Sequence, residues 1–279
     1  MRVDRPAGVL LVDNGSLEPA AILQHRALAD ALGARLGRAV APVSILHSDR
    51  VPVDRICGRE AEVLEPALRR RLVAGETDFV VLPLFVGPSR ALSEYVPLTA
   101  ETLRREFPSL RLRVTAPLHD PEDDRLARIL AAQVKAAGRE AGRGASGVRV
   151  AVVDHGSPVR AVAAARDRIA AQLAERLGDR VAAVAPCSME RRPGDEYAFN
   201  EPLLAGLLSR PDWQTGTVIV AQLFLLPGRH AGPGGDIARI CQDAERAAGG
   251  RLRTLRGGLV GDDPLLLDIL TDRARSVSV

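Results

Sequence analysis

Short apolar runs alternate with longer stretches of helical periodicity along the whole chain. Residues 8–13 and 149–154 are two such runs, and neither has the polar alternation of a strand with one exposed face. Runs of this kind are typical of strands that are buried on both faces of a parallel sheet. After each run, apolar residues recur at helical spacing until a glycine, Gly37 in one stretch and Gly178 in the other. The pattern therefore predicts a strand followed by a helix in two places.

A serine lies between each of these strands and the helix that follows it. In the second copy Ser157 precedes Pro158. Serine is a preferred N-cap residue, and proline is favoured at the first helical position. The sequence therefore predicts that Ser157 caps the second helix and that Pro158 opens it.

Three segments of the first half of the chain recur in the same order in the second half, at an offset of about 140 residues. The matched pairs are residues 12–16 with 153–157, 82–90 with 221–229, and 117–130 with 258–270. Three matches in one order indicate a duplicated domain. We predict a first domain at residues 1–138 and a second at 148–279, with a charged, glycine-rich linker at residues 138–147.

The rest of each half predicts further strands and helices in a common order. These are a second strand (39–46 and 181–187), a helix (about 60–74 and 200–209), a third strand, a helix, a short fourth strand (110–116 and 251–257) and a terminal helix. Strands that alternate with helices need crossover connections and form a parallel sheet covered on both faces. The predicted fold class is α/β, with two tandem domains that each hold a mainly parallel sheet flanked by helices.

Composition excludes several classes of protein. The chain has 279 residues, of which 46% are hydrophobic, so it can fill a substantial core. The apolar runs stop at about ten residues, too short to span a membrane, and the N-terminus lacks the apolar stretch of a signal peptide. We therefore expect a cytoplasmic protein with no membrane partner. The net charge of +3 is spread among acidic residues and only 3% of residues are aromatic, so no nucleic-acid partner is expected.

Motifs for common cofactors are absent from the sequence. Cys57, Cys187 and Cys241 have neither CxxC nor zinc-finger spacing, which argues against a disulfide framework or a structural zinc ion. No GxGxxG follows the first strand, and no P-loop is present. Neither a nucleotide nor an organic cofactor is expected.

Two histidines follow predicted strands. His155 comes directly after the run 149–154, and His230 lies just after the apolar run that begins near residue 218. In open α/β sheets ligands bind at the carboxyl edge, so these imidazoles form a candidate site. The equivalent positions of the first half are Asn14 and Ala91.

A carboxylate is expected from the end of the strand at 181–187. Glu190 is the preferred residue, and Asp195, Glu196 and Glu201 remain alternatives. Two imidazoles and one carboxylate suit Fe, Co, Ni or Zn as divalent ions, and three protein ligands leave coordination positions open. The segment Gly-Pro-Gly-Gly-Asp at 232–236, which opens a helix, suits an anionic group together with Arg229.

The residues Asp-His-Gly-Ser at 154–157 and Leu-Phe-Leu-Leu-Pro-Gly-Arg-His at 223–230 resemble the class II ATP-independent chelatases. The resemblance is nearest to the sirohydrochlorin cobalt and iron chelatases of siroheme and cobalamin biosynthesis, in a duplicated two-domain form. It implies an enzyme that inserts a divalent Co, Fe or Ni ion into sirohydrochlorin or a related tetrapyrrole, with the ion as substrate.

The resemblance also implies roles for individual residues. His155 and His230 are expected to bind the metal and to accept pyrrole protons, with Glu190 assisting. The first half has Asn14, Ser89 and Ala91 at the matching positions, so its site is expected to be degenerate. Contacts with the substrate are expected from Ser157, Gly228, Arg229, Gly232, Gly234, Gly235, Arg191 and Arg90.

Two other functions remain open at this level. One is a non-catalytic carrier of a tetrapyrrole or metal ion that keeps the fold without turnover. The other is a zinc-dependent hydrolase. The sequence leaves open the metal, the exact macrocycle and the oligomeric state, a homo-oligomer included.

Overall fold

The computed structural model describes residues 7–140 and 147–277. The chain divides into two compact units. Unit 1 contains the chain up to Leu118 together with the segment from Leu267 onward, and unit 2 runs from His119 to Leu266. Each unit holds one parallel sheet flanked by helices, which confirms the predicted fold class.

Unit 1 is built around a five-stranded sheet. Its elements in chain order are β1 (Gly8–Asp13), α1 (Pro19–Leu36), β2 (Val40–Ser44), β3 (Glu62–Val63), α2 (Leu64–Val73), β4 (Asp78–Pro83), α3 (Val96–Glu106) and β5 (Arg111–Val114). The strand order is β3-β2-β1-β4-β5, and every pair is parallel. Residues 9–12 of the central strand β1 are almost completely buried, as the continuous apolar run predicts.

Unit 2 is built around a four-stranded sheet. Its elements are α4 (Arg125–Glu140), β6 (Arg149–Asp154), α5 (Arg160–Leu177), β7 (Ala183–Ser188), α6 (Leu204–Leu208), β8 (Gly216–Gln222), α7 (Asp236–Ala247) and β9 (Leu252–Arg256). The strand order is β7-β6-β8-β9, again all parallel. Ala151 and Val153 of β6 pack into one core with Leu204 of α6 and Ile237 of α7.

The predicted serine cap is wrong. Helix α5 begins at Arg160, two residues after Pro158. The Ser157 Oγ accepts the Val159 N–H at 3.1 Å, and the Ser157 N–H donates to the Asn200 side chain at 3.0 Å. The serine therefore stabilises a turn that is held by Asn200, and the helix starts only after this turn.

Most other predicted bounds shift by a few residues. β1 and β6 have the predicted bounds, whereas β5 and β9 are shorter than predicted. The helix predicted at 200–209 is reduced to α6, because residues Asp195–Asn200 form a 3₁₀ turn before it.

The last helix of each sequence repeat does not lie in the unit formed by the rest of that repeat. Helix α4 belongs to unit 2, where it packs against α5 and β8. Helix α8 (Leu265–Arg275) belongs to unit 1 from Leu267 onward, where Arg273 donates to Pro117 O at 3.0 Å. The compact units therefore differ from the predicted domains 1–138 and 148–279. These domain bounds follow the sequence repeat and stay a prediction.

The linker predicted at residues 138–147 begins inside a helix, because α4 continues through Gly138 to Glu140. Residues 141–146 lie outside the described part of the chain. Across residues 7–140 and 147–277, no helix has both the length and the apolar content needed to cross a membrane.

Candidate functional site

The candidate site lies in unit 2, at the carboxyl edge of its sheet. His155 follows β6 directly, and Glu190 lies two residues beyond the end of β7. The Met189 N–H donates to Asp154 O at 2.7 Å, and the Glu190 N–H donates to His155 O at 3.2 Å. The hydrogen-bond ladder continues past both strands and holds His155 next to Glu190.

Gly156 allows the two segments to approach this closely. Its φ is +92°, and a Cβ at this position would lie 1.9 Å from Glu190 O. Any side chain here would push the segments apart, so the position requires glycine.

His230 comes from the segment after β8 and contacts His155. The two ring centroids are 4.8 Å apart, with an angle of 72° between the ring planes. His155 Nε2 lies 3.5 Å from Glu190 Oε1. The His155 and Glu190 side chains are 48% and 62% exposed, so a ligand can reach them. The structure thus brings together the two histidines and the preferred carboxylate.

These three side chains do not already form a metal cage. Among residues 7–140 and 147–277, no group of three His, Cys, Asp or Glu side chains is arranged to hold a metal ion. Binding an ion between His155, His230 and Glu190 therefore requires adjustment of these exposed side chains.

Asp236 is a site residue that is not among those predicted from the sequence. It is the first residue of α7, and its Oδ2 lies 2.5 Å from His230 Nδ1. Arg239 donates to the other carboxylate oxygen, and the Arg229 Nε lies 3.9 Å from Oδ2. Hydrogen bonds from Arg239 and then His230 hold the pKa of Asp236 below its ordinary range. The available signal was an aspartate at a helix start, six residues after a candidate histidine.

These side chains border an open cleft of about 650 Å³. Most of its lining is polar or charged, and Met189 and Ile240 add apolar surface. The lining residues are His155, Met189, Glu190, Arg229, His230, Asp236, Arg239, Ile240 and Asp243.

A buried polar network lies behind the cleft. Arg166 of α5 is 1% exposed and donates to Ser188 Oγ and to Phe199 O. The Ser188 hydroxyl donates to Asp154 Oδ1 at 2.6 Å. Burial raises the pKa of Asp154, although the Ser188 hydrogen bond and the nearby Arg166 oppose the shift. The network connects the ends of β6 and β7 to the segment that follows β7.

A family model, CbiX, matches residues 8–137. The match is confined to the first half of the chain, and it shows similarity to CbiX there. The matched residues are those of the first repeat, whereas the candidate site lies in the second. No curated protein matches the chain in sequence.

Solved structures of similar fold cover nearly the whole chain. SirB from Bacillus subtilis with Fe3+ has a TM-score of 0.73 at 16% identity, and the match covers 99% of this chain and 96% of SirB. CbiX, the terminal enzyme for biosynthesis of siroheme in denitrifying bacteria, has a TM-score of 0.57 at 21% identity, covering 98% and 100%. DR2241 from Deinococcus radiodurans, a multi-domain protein with structural similarity to chelatases, has a TM-score of 0.56 at 18% identity, covering 96% and 55%. The fold of this chain is that of the chelatases.

In unit 1, the carboxyl edge of the sheet lacks the ligand set. Asn14 and Ala91 replace the two histidines, as the repeat predicts. A Cβ at Gly15 would lie 1.7 Å from Leu46 O, the same relation that joins Gly156 to Glu190. Leu46 is therefore the counterpart of Glu190, and this edge offers no side chain of the metal-binding type at these three positions.

Several predicted contact residues have other partners in the structure. Arg191 pairs with Glu201 at 2.6 Å, and Arg90 in unit 1 pairs with Glu94 at 2.7 Å. The Gly232 and Gly235 N–H groups donate to Gly228 O and Gly232 O, respectively. Because these two amides are engaged in turns, Arg229 is the clearer candidate for an anionic group.

Gly235 has a steric role in the site. A Cβ there would lie 2.5 Å from His230 O and 2.6 Å from Arg229 O. The start of α7 can therefore pass beneath the His230 segment only with glycine at this position.

The remaining histidines and cysteines add no ligand to the cleft. His25 is 3% exposed, and its Nε2 lies 3.0 Å from Leu11 O in unit 1. Cys187 is buried, and burial raises the pKa of its thiol, which disfavours the thiolate that a metal would need.

Proposed function

We propose that this chain is a chelatase of the CbiX type and inserts a divalent metal ion into sirohydrochlorin or a related tetrapyrrole. In this proposal His155 and His230 bind the ion and accept the pyrrole protons, and Glu190 assists both steps. Family and fold support a chelatase-type enzyme in general. The observation that carries the residue assignment is the placement of two imidazoles 4.8 Å apart with a carboxylate beside one of them.

The chemistry requires groups that exchange both a metal and protons. The macrocycle loses two pyrrole protons, and the ion exchanges its protein or water ligands for the pyrrole nitrogens. A neutral imidazole can accept a proton near neutral pH, and a carboxylate can pass it to water. An exposed His/His/Glu set that is not preassembled around an ion suits transient binding, because the ion must also be released to the ring.

Fe2+, Co2+ and Ni2+ are the ions that we propose as substrates. All three accept imidazole and carboxylate ligands. The SirB structure of the same fold was solved with Fe3+, which associates iron with that protein. Both the siroheme and the cobalamin pathways are compatible with this site.

We also propose that the cleft arginine Arg229 contacts carboxylates of the macrocycle. Its side chain is 77% exposed, and a guanidinium matches carboxylate geometry. The other proposed contacts are Ser157, Gly228, Gly232, Gly234, Gly235, Arg191 and Arg90. A cytoplasmic location remains a prediction from the sequence.

The test is anaerobic metal insertion followed by the visible spectrum of sirohydrochlorin with Co2+, Fe2+ or Ni2+. We compare the intact protein with His155→Ala and His230→Ala. Loss of general-base and ligand function predicts rates that fall by roughly 100-fold or more in each variant. His47→Asn is the control, because it removes an exposed imidazole of unit 1 at a positive φ that asparagine tolerates.

Each outcome separates the candidate functions. Acceleration over the protein-free reaction that is lost in both variants and kept in His47→Asn supports the chelatase. Macrocycle binding without acceleration indicates the carrier. A tightly held zinc ion without affinity for the macrocycle indicates the hydrolase.

A further inference from the structure

The pair formed by His230 and Asp236 is a built feature of the cleft. Asp236 begins α7, and the Ile237 N–H donates to His230 O at 3.1 Å, which closes the segment between the two residues. Gly235 gives the close backbone approach that brings α7 under His230. The 2.5 Å contact between His230 Nδ1 and Asp236 Oδ2 therefore follows from the backbone path of this segment.

We propose that Asp236 is a positioning residue for metal transfer: it holds the His230 proton on Nδ1 and so directs the Nε2 lone pair into the cleft. The role in metal transfer rests on the proposed function, whereas the test of the contact between Asp236 and His230 does not. It adds to the site a carboxylate that acts through His230 and does not itself contact the ion.

The argument starts from hydrogen-bond chemistry. A carboxylate can only accept, so a neutral imidazole beside it must carry its proton on the nitrogen that faces it. In proteins, a histidine that binds a metal through one nitrogen commonly donates the other N–H to a carboxylate, which fixes the ring and raises its basicity as a ligand. His230 has this second partner.

The same carboxylate is held from the other side. Arg239 donates to Oδ1, and Oδ2 faces His230. Arg229 adds a second cation, with its Nε 3.9 Å from Oδ2. These contacts fix the carboxylate plane, so the orientation of His230 is set before an ion arrives.

Unit 1 supports the pairing of the two residues. Where unit 2 has His230, unit 1 has Ala91, and α3 begins with Val96 where α7 begins with Asp236. The unit without the histidine also lacks the carboxylate at the first residue of the equivalent helix.

The test compares the intact protein with Asp236→Ala and Asp236→Asn, and uses two readouts that need no tetrapyrrole. Two-dimensional ¹H–¹⁵N NMR of the histidine rings reports which nitrogen carries the proton, with His230 assigned by its loss in His230→Ala. Titration with Co2+ alone, followed by its visible absorption, reports metal affinity. Asp243→Ala is the matched control, since it removes another cleft carboxylate, one that pairs with Arg246.

We expect the Nδ1–H form of His230 in the intact protein and in Asp243→Ala, and a shift toward the Nε2–H form in Asp236→Ala. Co2+ binding should weaken by about 10- to 100-fold in Asp236→Ala. Asp236→Asn keeps an oxygen that can accept from Nδ1, so it should fall between the two. If Asp236→Ala does not fold, the ring form and Co2+ affinity of Asp236→Asn alone decide, because this variant is isosteric.

An unchanged ring form in the Asp236 variants, or equal Co2+ weakening in Asp243→Ala, would overturn the inference. An intact protein that binds Co2+ but never metallates sirohydrochlorin would instead overturn the proposed function and leave the role of Asp236 toward His230 standing.

Discussion

Each of the two candidate ligand imidazoles has an oxygen acceptor beside Nδ1. For His155 the acceptor is the Gly156 carbonyl at 3.1 Å, and for His230 it is the Asp236 carboxylate at 2.5 Å. A neutral His230 ring therefore carries its proton on Nδ1 and leaves the Nε2 lone pair available, whereas His155 has an acceptor beside each ring nitrogen, because Glu190 Oε1 lies 3.5 Å from its Nε2. Two imidazoles beside one carboxylate can together bind a divalent cation, and this is the basis of the proposed activity.

Among the four candidate carboxylates, Glu190 is the one that reaches His155. Glu201 is held by Arg191 and by the Leu203 N–H, and the Arg191 hydrogen bond lowers its pKa. We expect Glu190→Gln to lower the rate of Co2+ insertion by roughly 100-fold, because an amide can neither accept the proton nor offset the charge of the ion. Steady-state assays with sirohydrochlorin measure this rate.

Glu196→Gln is the control for this substitution. Glu196 is exposed on the same segment and is not among the residues that line the cleft. Full activity in Glu190→Gln, or an equal loss in both variants, would assign the carboxylate role elsewhere.

At the scale of elements, one buried residue on each long helix supports the sheet edge. In α5 this is Arg166, whose guanidinium lies 3.5 Å from Asp154, and in α1 it is His25, 3.6 Å from Asp13. The segment after the second strand is anchored by Asn200 in unit 2, whereas in unit 1 Ser48 accepts the Ser16 N–H at 3.1 Å.

Asn200→Ala should destabilise unit 2. The completely buried amide of Asn200 accepts the Ser157 N–H at 3.0 Å and donates to Ser157 O at 2.9 Å. It also donates to Tyr197 O at 3.1 Å. Without it, three backbone groups lose their partners, so we expect the free energy of unfolding to fall by about 1–3 kcal/mol. Urea denaturation measures the change. The exposed Asn14→Ala should change stability by less than about 0.5 kcal/mol, and a similar loss in both variants would refute the anchoring role.

Arg69 connects two helices of unit 1 and predicts a pH dependence. It donates to Glu65 of α2 at 2.8 Å and to Glu106 of α3 at 3.0 Å. The Arg69 hydrogen bond lowers the pKa of Glu106 in the folded chain. Glu106 therefore stabilises the fold above the ordinary glutamate pKa of about 4.3, and this contribution is lost as the pH falls through the lowered value.

Arg69→Gln should accordingly reduce the Tm at neutral pH, and the difference from the intact protein should vanish in acid. Arg105→Gln is the comparison, because Arg105 pairs with Glu101 within α3 alone. Thermal unfolding by circular dichroism across pH checks this, and a Tm difference that persists below the folded-state pKa would exclude Glu106 as its source.

At the scale of the whole molecule, the terminal helices define which stretches of chain form compact units. Helix α4 precedes the strands of unit 2 in sequence, yet it contributes Leu126, Ile129, Leu130 and Val134 as fully buried side chains. A Cβ at Gly138 of this helix would lie 3.9 Å from the Ile219 side chain of β8. The end of α4 therefore lies against the sheet.

A fragment of residues 119–266 should therefore unfold more cooperatively and at higher urea than a fragment of residues 148–279. The second fragment lacks α4, and burial of each large apolar side chain contributes about 1.5–3 kcal/mol. The loss is comparable with the roughly 5–15 kcal/mol net stability of a domain. Equal urea midpoints for the two fragments would show that the sequence repeat, rather than the compact unit, is the folding unit.

The sequence pattern predicted the fold class, four strands in each half and the three residues that meet at the candidate site, whereas the two-residue strand β3 was not predicted. Continuous apolar runs have a local signature, so 8–13 and 149–154 match β1 and β6. Because parallel strands end at one edge, residues that follow them meet there, as His155, His230 and Glu190 do.

The remaining features depend on contacts between distant segments, so the local sequence pattern does not specify them. The partner of His230 depends on how the segment before α7 folds back, and the burial of His25 and Arg166 depends on which helix face meets the sheet. The apolar stripes of α4 and α8 fit any sheet face of suitable shape, so the sequence pattern does not specify the unit that each helix joins.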